Sequence, residues 1–93
     1  MKATNWTRPA QADLAGIDDY YAERNREYAN RVGSEAIKAG DFLAEFPHAG
    51  EEVAPDHRRW RVSGTRYLLI YRVLNGSVEI LRVRHDRQGS DDL

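Results

Sequence analysis

Residues 58–88, RRWRVSGTRYLLIYRVLNGSVEILRVRHDRQ, hold eight arginines and one histidine in an alternating stretch broken by two turn signals. Trp60 and Val62 alternate with Arg59, Arg61 and Ser63, the period-two pattern of a strand with one buried and one displayed face. Ser63-Gly64-Thr65 offers a turn, and RYLLIYRVL is apolar enough for a central strand covered on both sides. Asn75-Gly76 is a two-residue hairpin signal, because both residues tolerate the positive φ of a type I′ turn. SVEILRVRH then returns as the last strand, with Val78, Ile80, Arg82 and Arg84 on one side and Glu79, Leu81, Val83 and His85 on the other. Its polarity rises toward the end, so the strand is expected to leave the core there. The block reads as a meander with a cationic face, a surface suited to phosphate.

Upstream, PHAGEEVAPDH contains two prolines and a glycine and reads as a connecting loop. Before it, Val32, Ala36, Leu43 and Phe46 recur at helical spacing, and Pro47 ends that helix. Gly33 and Gly40 lie seven apart within it, a spacing that would permit close helix packing. Asn25 separates this run from an earlier one, in which Ala10, Leu14, Ile17, Tyr21 and Tyr28 form an apolar stripe. Pro9 suits a first helical position, where its missing N–H costs nothing, so the first helix begins near it. KATNW, anchored by Trp6, supplies a short first strand. The expected fold is α+β, in the order β-α-α-β-β-β, with an N-terminal helical hairpin on a small antiparallel sheet. Residues 1–88 form one domain and 89–93 a frayed tail.

The 93-residue chain has no cysteine, which removes disulfides and thiolate metal sites and suits a reducing cytoplasm. No apolar run approaches the roughly 20 residues needed to cross a bilayer, so a soluble, cytoplasmic protein is expected. Net charge is −1, but residues 1–57 carry 6 Lys+Arg against 11 acids (−5) and residues 58–93 carry 8 against 4 (+4). Two surfaces of opposite sign follow from that division.

The order of residues resembles the RelE/ParE superfamily of bacterial toxins, the toxic partners in type II toxin-antitoxin pairs. The resemblance is carried by Trp6, Ala12-Asp13-Leu14, Ile17, Tyr20-Tyr21, Asn25 and residues 47–50. It continues through Arg61, Tyr67, Ile70-Tyr71-Arg72, Val83-Arg84-His85 and Arg87. It implies the same small sheet and helical hairpin, and it implies one of two activities. RelE-like members cut messenger RNA on the ribosome; ParE-like members poison DNA gyrase. Residues 48–56 hold three acids and no Lys or Arg, so they lack the basic pair that marks many ribosome-dependent nucleases. Together with the two substantial helices, this favours a ParE-like inhibitor of DNA gyrase over a RelE-like mRNA endoribonuclease. A degenerate toxin fold that only binds its antitoxin is the third reading.

Under the RelE-like reading, the resemblance makes Arg61 and His85 the catalytic candidates, with Arg61 clamping phosphate and His85 exchanging protons near neutrality. The spacing of Arg61 to Tyr71 differs from that of RelE-like members, and a lone histidine beside Arg84 and Asp86 is more often solvated or structural. Arg59, Arg61, Arg82, Arg84 and Arg87 are candidates for binding the target or the antitoxin; for Arg61 an exposed strand arginine is an equal explanation. Tyr67, Tyr71 and Trp60 are read as core or core-edge residues ahead of base-stacking platforms. His48 and His57 have no metal-ligand spacing, and no phosphate-binding glycine loop occurs, so neither metal nor cofactor is expected. The expected partners are a cognate antitoxin, received as an added strand or helix, and DNA gyrase, or the ribosome and mRNA in the alternative.

Overall fold

The computed structural model describes residues 3–87; Lys2 of the expected first strand and the tail at 89–93 lie outside them. Seven elements follow in order: β1 (Thr4–Trp6), α1 (Arg8–Tyr21), α2 (Arg26–Glu45), β2 (Glu51–Ala54), β3 (His57–Arg61), β4 (Tyr67–Leu74) and β5 (Ser77–His85). Both helices start on a side-chain cap. The Thr7 hydroxyl accepts from the Ala10 N–H at 3.2 Å, and the Asn25 side chain accepts from the Tyr28 N–H at 3.0 Å, so Asn25 separates the helices by capping the second. Asn25→Ala is expected to cost about 1 kcal/mol, read as a lowered urea midpoint with an unchanged slope.

The sheet has five strands in the order β1-β5-β4-β3-β2. Strands β2 to β5 form an antiparallel meander, and β1 joins the β5 edge in parallel, matching Thr4 with Val78 and Trp6 with Ile80. The expected α+β architecture therefore stands, with two differences. The segment read as a loop contains β2, whose Glu51, Glu52 and Ala54 pair with β3 through a tight turn at Pro55-Asp56; Asp56 takes a left-handed φ of 62°. The β1 strand makes the sheet mixed. Asn75 and Gly76 both have positive φ, 43° and 81°, as the hairpin signal requires.

The helices cover one sheet face. Ala10, Val32, Ala36 and Leu43 pack with Val62, Leu69, Tyr71, Val78 and Ile80, and Leu14, Ile17, Tyr21 and Tyr28 close the margin. Phe46, expected in this stripe, is 58% exposed instead. It caps the helix with φ −129° and ψ 71°, and its ring turns onto Phe42 at 4.9 Å. The seven-residue glycine spacing has a different use from helix packing. A Cβ on Gly40 would lie 3.1 Å from the Trp6 ring and 3.2 Å from the Thr4 methyl, so Gly40 admits β1; Gly33 faces nothing within 4 Å.

The last strand also departs from simple alternation. Ile70 pairs with Arg82 but Tyr71 pairs with Ile80, so Leu81 is an extra residue that forms a bulge. The bulge reverses which side the following residues take. Val83 therefore stays in the core at 5% exposure, and His85 follows it to the helix side, where the unbroken pattern sends Arg82 and Arg84 inward with Val78. Among the described residues no helix is long and apolar enough to cross a membrane.

Candidate functional site

The sheet face away from the helices displays the arginines. Pairing places Arg59, Ile70 and Arg82 in one row and Arg61, Leu68 and Arg84 in the next, with Arg72 beside Glu79 further along. Ile70 on this face is only 4% exposed, so the surrounding long side chains cover it with their aliphatic stems. The arginines expected from strand alternation lie on this face, and each has its own surroundings.

Arg59 reaches Glu51 across the β2–β3 pair, with Nε 3.0 Å and Nη2 2.9 Å from one carboxylate oxygen. Arg72 binds Glu79 at 2.7 Å. Arg82 grips Asp13 of α1 with two parallel bonds, Nε to Oδ2 at 2.8 Å and Nη2 to Oδ1 at 2.9 Å. The same Asp13 accepts the Val83 backbone N–H at 2.9 Å, beyond the stretch of β5 that pairs with β1. Burial alone would push the Asp13 carboxyl up; the Arg82 guanidinium and the Val83 N–H outweigh it and hold the pKa below 3.8. Arg82 is raised in turn, chiefly by its hydrogen bond to Asp13. Of the binding candidates, Arg82 therefore serves to fasten helix to sheet.

Arg61 and His85 lie on opposite faces of the sheet, since Arg61 shares a row with Arg84 and His85 is paired with Tyr67. The Asp86 carboxylate stands between them just beyond β5. Its Oδ2 takes Arg66 Nε at 2.8 Å and Arg61 Nη1 at 3.3 Å, and its Oδ1 lies 3.4 Å from His85 Nδ1. The Arg66 hydrogen bond is the main reason that the Asp86 pKa is lowered, so the group is an anion at neutral pH. Arg61 also donates to the Thr65 carbonyl at 3.2 Å. The His85 ring meets Tyr67 edge-on at 5.2 Å, and its Nδ1 accepts the Arg87 N–H at 3.1 Å. Arg84 keeps a buried Nε that has no hydrogen-bond partner among the described residues.

The histidine side forms a groove between α1 and β5, lined by Asp13, Gly16, Tyr20, Tyr21, Tyr67 and His85. Tyr21 contacts both Tyr20 and Tyr28 edge-on at 4.8 Å. Burial, followed by its hydrogen bond to Tyr21, raises the Tyr67 pKa far above the ordinary value for a phenol. Tyr67 and Tyr71 are buried, as read from sequence, and Trp60 is half-buried with its ring stacked on Phe42 at 5.2 Å. Among the described residues, His48 and His57 belong to no cluster arranged to hold a metal ion.

Asp86 was not among the residues singled out from sequence. A signal existed: residues 58–88 contain eight arginines and only two acids, Glu79 and Asp86, and each acid neutralises its nearest arginines.

Comparison with known proteins decides the family. The family described as "ParE toxin of type II toxin-antitoxin system, parDE" matches residues 4–89. The chain is a RelE/ParE superfamily toxin of a type II toxin-antitoxin system. Toxin RelE2 of Caulobacter vibrioides is 38% identical over 85 residues, which are 91% of this chain and 96% of that protein. A chain of the chromosomal ParDE toxin-antitoxin system from P. aeruginosa superposes with a TM-score of 0.77 at 26% identity, covering 91% of this toxin and 96% of that chain. Among RelE/ParE toxins, the helical hairpin on a small sheet is thus the shared frame, and the residues at the end of β5 are where this chain's chemistry has to be read.

Proposed function

We propose that this toxin is ParE-like: it acts in the cytoplasm by inhibiting DNA gyrase and is neutralised by a cognate antitoxin. The observation that carries this reading is the Asp86 carboxylate between Arg61 and His85. A nuclease would bring the scissile phosphate to those two side chains. Here the phosphate meets an anion, Arg61 already has a counter-charge, and the Nδ1 of His85 already accepts the Arg87 N–H. Like charges disfavour that approach. The match to the ParE toxin family supports the same side.

Purified, antitoxin-free protein added to a gyrase supercoiling reaction is expected to block supercoiling and accumulate cleaved DNA. Full supercoiling at large molar excess of folded toxin overturns the reading.

One observation favours the RelE-like alternative: the Caulobacter relative bears the name RelE2. Under it Arg61 clamps phosphate and His85 moves the proton, so replacing both abolishes ribosome-dependent mRNA cleavage while the fold persists.

A further inference from the structure

The Nδ1 of His85 stands between two groups that ask opposite things of it. The Arg87 backbone N–H donates to it at 3.1 Å, which needs a lone pair on that nitrogen. Asp86 Oδ1 lies 3.4 Å from the same atom, and an anionic oxygen there needs a proton on it. One nitrogen cannot serve both. In the observed arrangement Nδ1 serves Arg87, so the ring is neutral and carries its proton on Nε2. The carboxylate shows the consequence. Its Oδ2 takes Arg66 at 2.8 Å and Arg61 at 3.3 Å, whereas Oδ1 is buried without a hydrogen-bond partner among the described residues. A buried acceptor left in that state is costly, and more so when it belongs to a charged group.

We propose that His85 and Asp86 form a proton-operated latch on Arg87, just beyond β5. With the ring neutral, Nδ1 holds the Arg87 N–H and Oδ1 stays unpaired. When the ring takes one proton from solvent, Nδ1 loses its lone pair, its new N–H turns to Oδ1, and the Arg87 N–H is released. Imidazole is the side chain that changes charge between about pH 5 and 8. Asp86 stays an anion across that range, held low chiefly by the Arg66 hydrogen bond. The other groups around the ring leave the exchange to Asp86. From β4, Tyr67 meets the ring edge-on at 5.2 Å with its phenol kept protonated by burial, and Arg66 is bound to Oδ2. From α1, Tyr20, Tyr21 and Asp13 line the same groove, and Asp13 already holds Arg82 through both oxygens. Tyr28 of α2 touches Tyr21 at 4.8 Å. Arg61 of β3 meets the carboxylate rather than the ring, and Arg84 takes the opposite sheet face. The latch needs neither target nor antitoxin, only this chain's own residues, and it places the binding candidate Arg87 under the control of one proton.

An NMR titration of the folded, antitoxin-free toxin from about pH 8 to about pH 5 tests this. The His85 ring signals, assigned by their loss in His85→Phe, and the Arg87 amide are expected to move with one shared midpoint. The amide proton should shift upfield as its hydrogen bond is lost. The amide of Leu69, in the core, should hold its position, which separates the exchange from acid unfolding. Asp86→Asn removes the anion that attracts the protonated ring and should lower the His85 midpoint by about half a unit or more. In His85→Phe, which keeps a ring beside Tyr67 but offers no nitrogen, the Arg87 amide should stay at its released position throughout. A His85 ring that takes no proton in this range overturns the latch. So does an Arg87 amide that holds still through the His85 midpoint, or a midpoint that Asp86→Asn leaves unmoved.

Discussion

Gly50→Ala is expected to destabilise the fold by about 3 kcal/mol, the sum of a core overpacking and a lost buried hydrogen bond. The reason lies in how the turn after α2 is moored. Tyr71 is fully buried, and its hydroxyl donates to the Pro47 carbonyl at 2.7 Å while accepting the Gly50 N–H at 2.9 Å. The Gly50 carbonyl in turn takes the Arg58 guanidinium at 2.6 Å. A Cβ at position 50 would lie 2.5 Å from the Tyr71 hydroxyl oxygen and 2.6 Å from the Arg59 carbonyl. The first could move only by breaking its bonds, and the second is strand backbone. Tyr71→Phe should cost about 2 kcal/mol alone, because it leaves the Gly50 N–H and the Pro47 carbonyl without their buried partner. The double variant is expected to cost less than the sum, since the hydroxyl that collides with the new methyl is already gone. Urea unfolding of the four proteins measures this; a Gly50→Ala cost below about 0.5 kcal/mol would show that the turn yields freely.

This turn shows what a sequence of this kind discloses and what it withholds. The helices were legible because their information is local: Ala10, Leu14 and Ile17, then Val32, Ala36 and Leu43, repeat with the helical period, and Asn25 has the side chain a cap requires. The Asn75-Gly76 hairpin was legible for the same reason. The short strand β2 was not, because Glu51, Glu52 and Ala54 have no strong strand preference and the strand exists only by pairing with residues 57–59. The bulge at Leu81 is harder still. It depends on register against β4, and one extra residue exchanges the inward and outward sets for the rest of the strand. That exchange is what sends His85 toward α1 and leaves Arg84 with Arg61, so the sides these residues take could not be read from sequence. Asp13 was visible only as part of a family resemblance. Its work depends on Arg82, 69 positions away.

Asp13→Asn is expected to cost about 2 kcal/mol near neutral pH, and the cost should shrink as the solution is acidified. The substitution keeps an oxygen that can accept the Val83 N–H but removes the charge from the paired bonds with Arg82. The loss stays below the 3–5 kcal/mol range of a fully buried pair, since the Arg82 side chain is 41% exposed and water screens part of the attraction. The pH dependence follows from the direction of the shift. The folded protein holds the Asp13 carboxyl below 3.8, so between the folded and unfolded pKa values the unfolded chain binds the extra proton. The stabilisation is thus complete above the unfolded value and is lost as pH falls through the folded one. Asp86 is depressed too, mainly by Arg66, and acts with the same sign; Asp13→Asn should therefore flatten the acid limb only in part, and adding Asp86→Asn should flatten it further. Chemical denaturation across the acid range reads both effects. A difference between the parent and Asp13→Asn that stays constant down to about pH 2 would mean that shape, and not charge, joins α1 to β5.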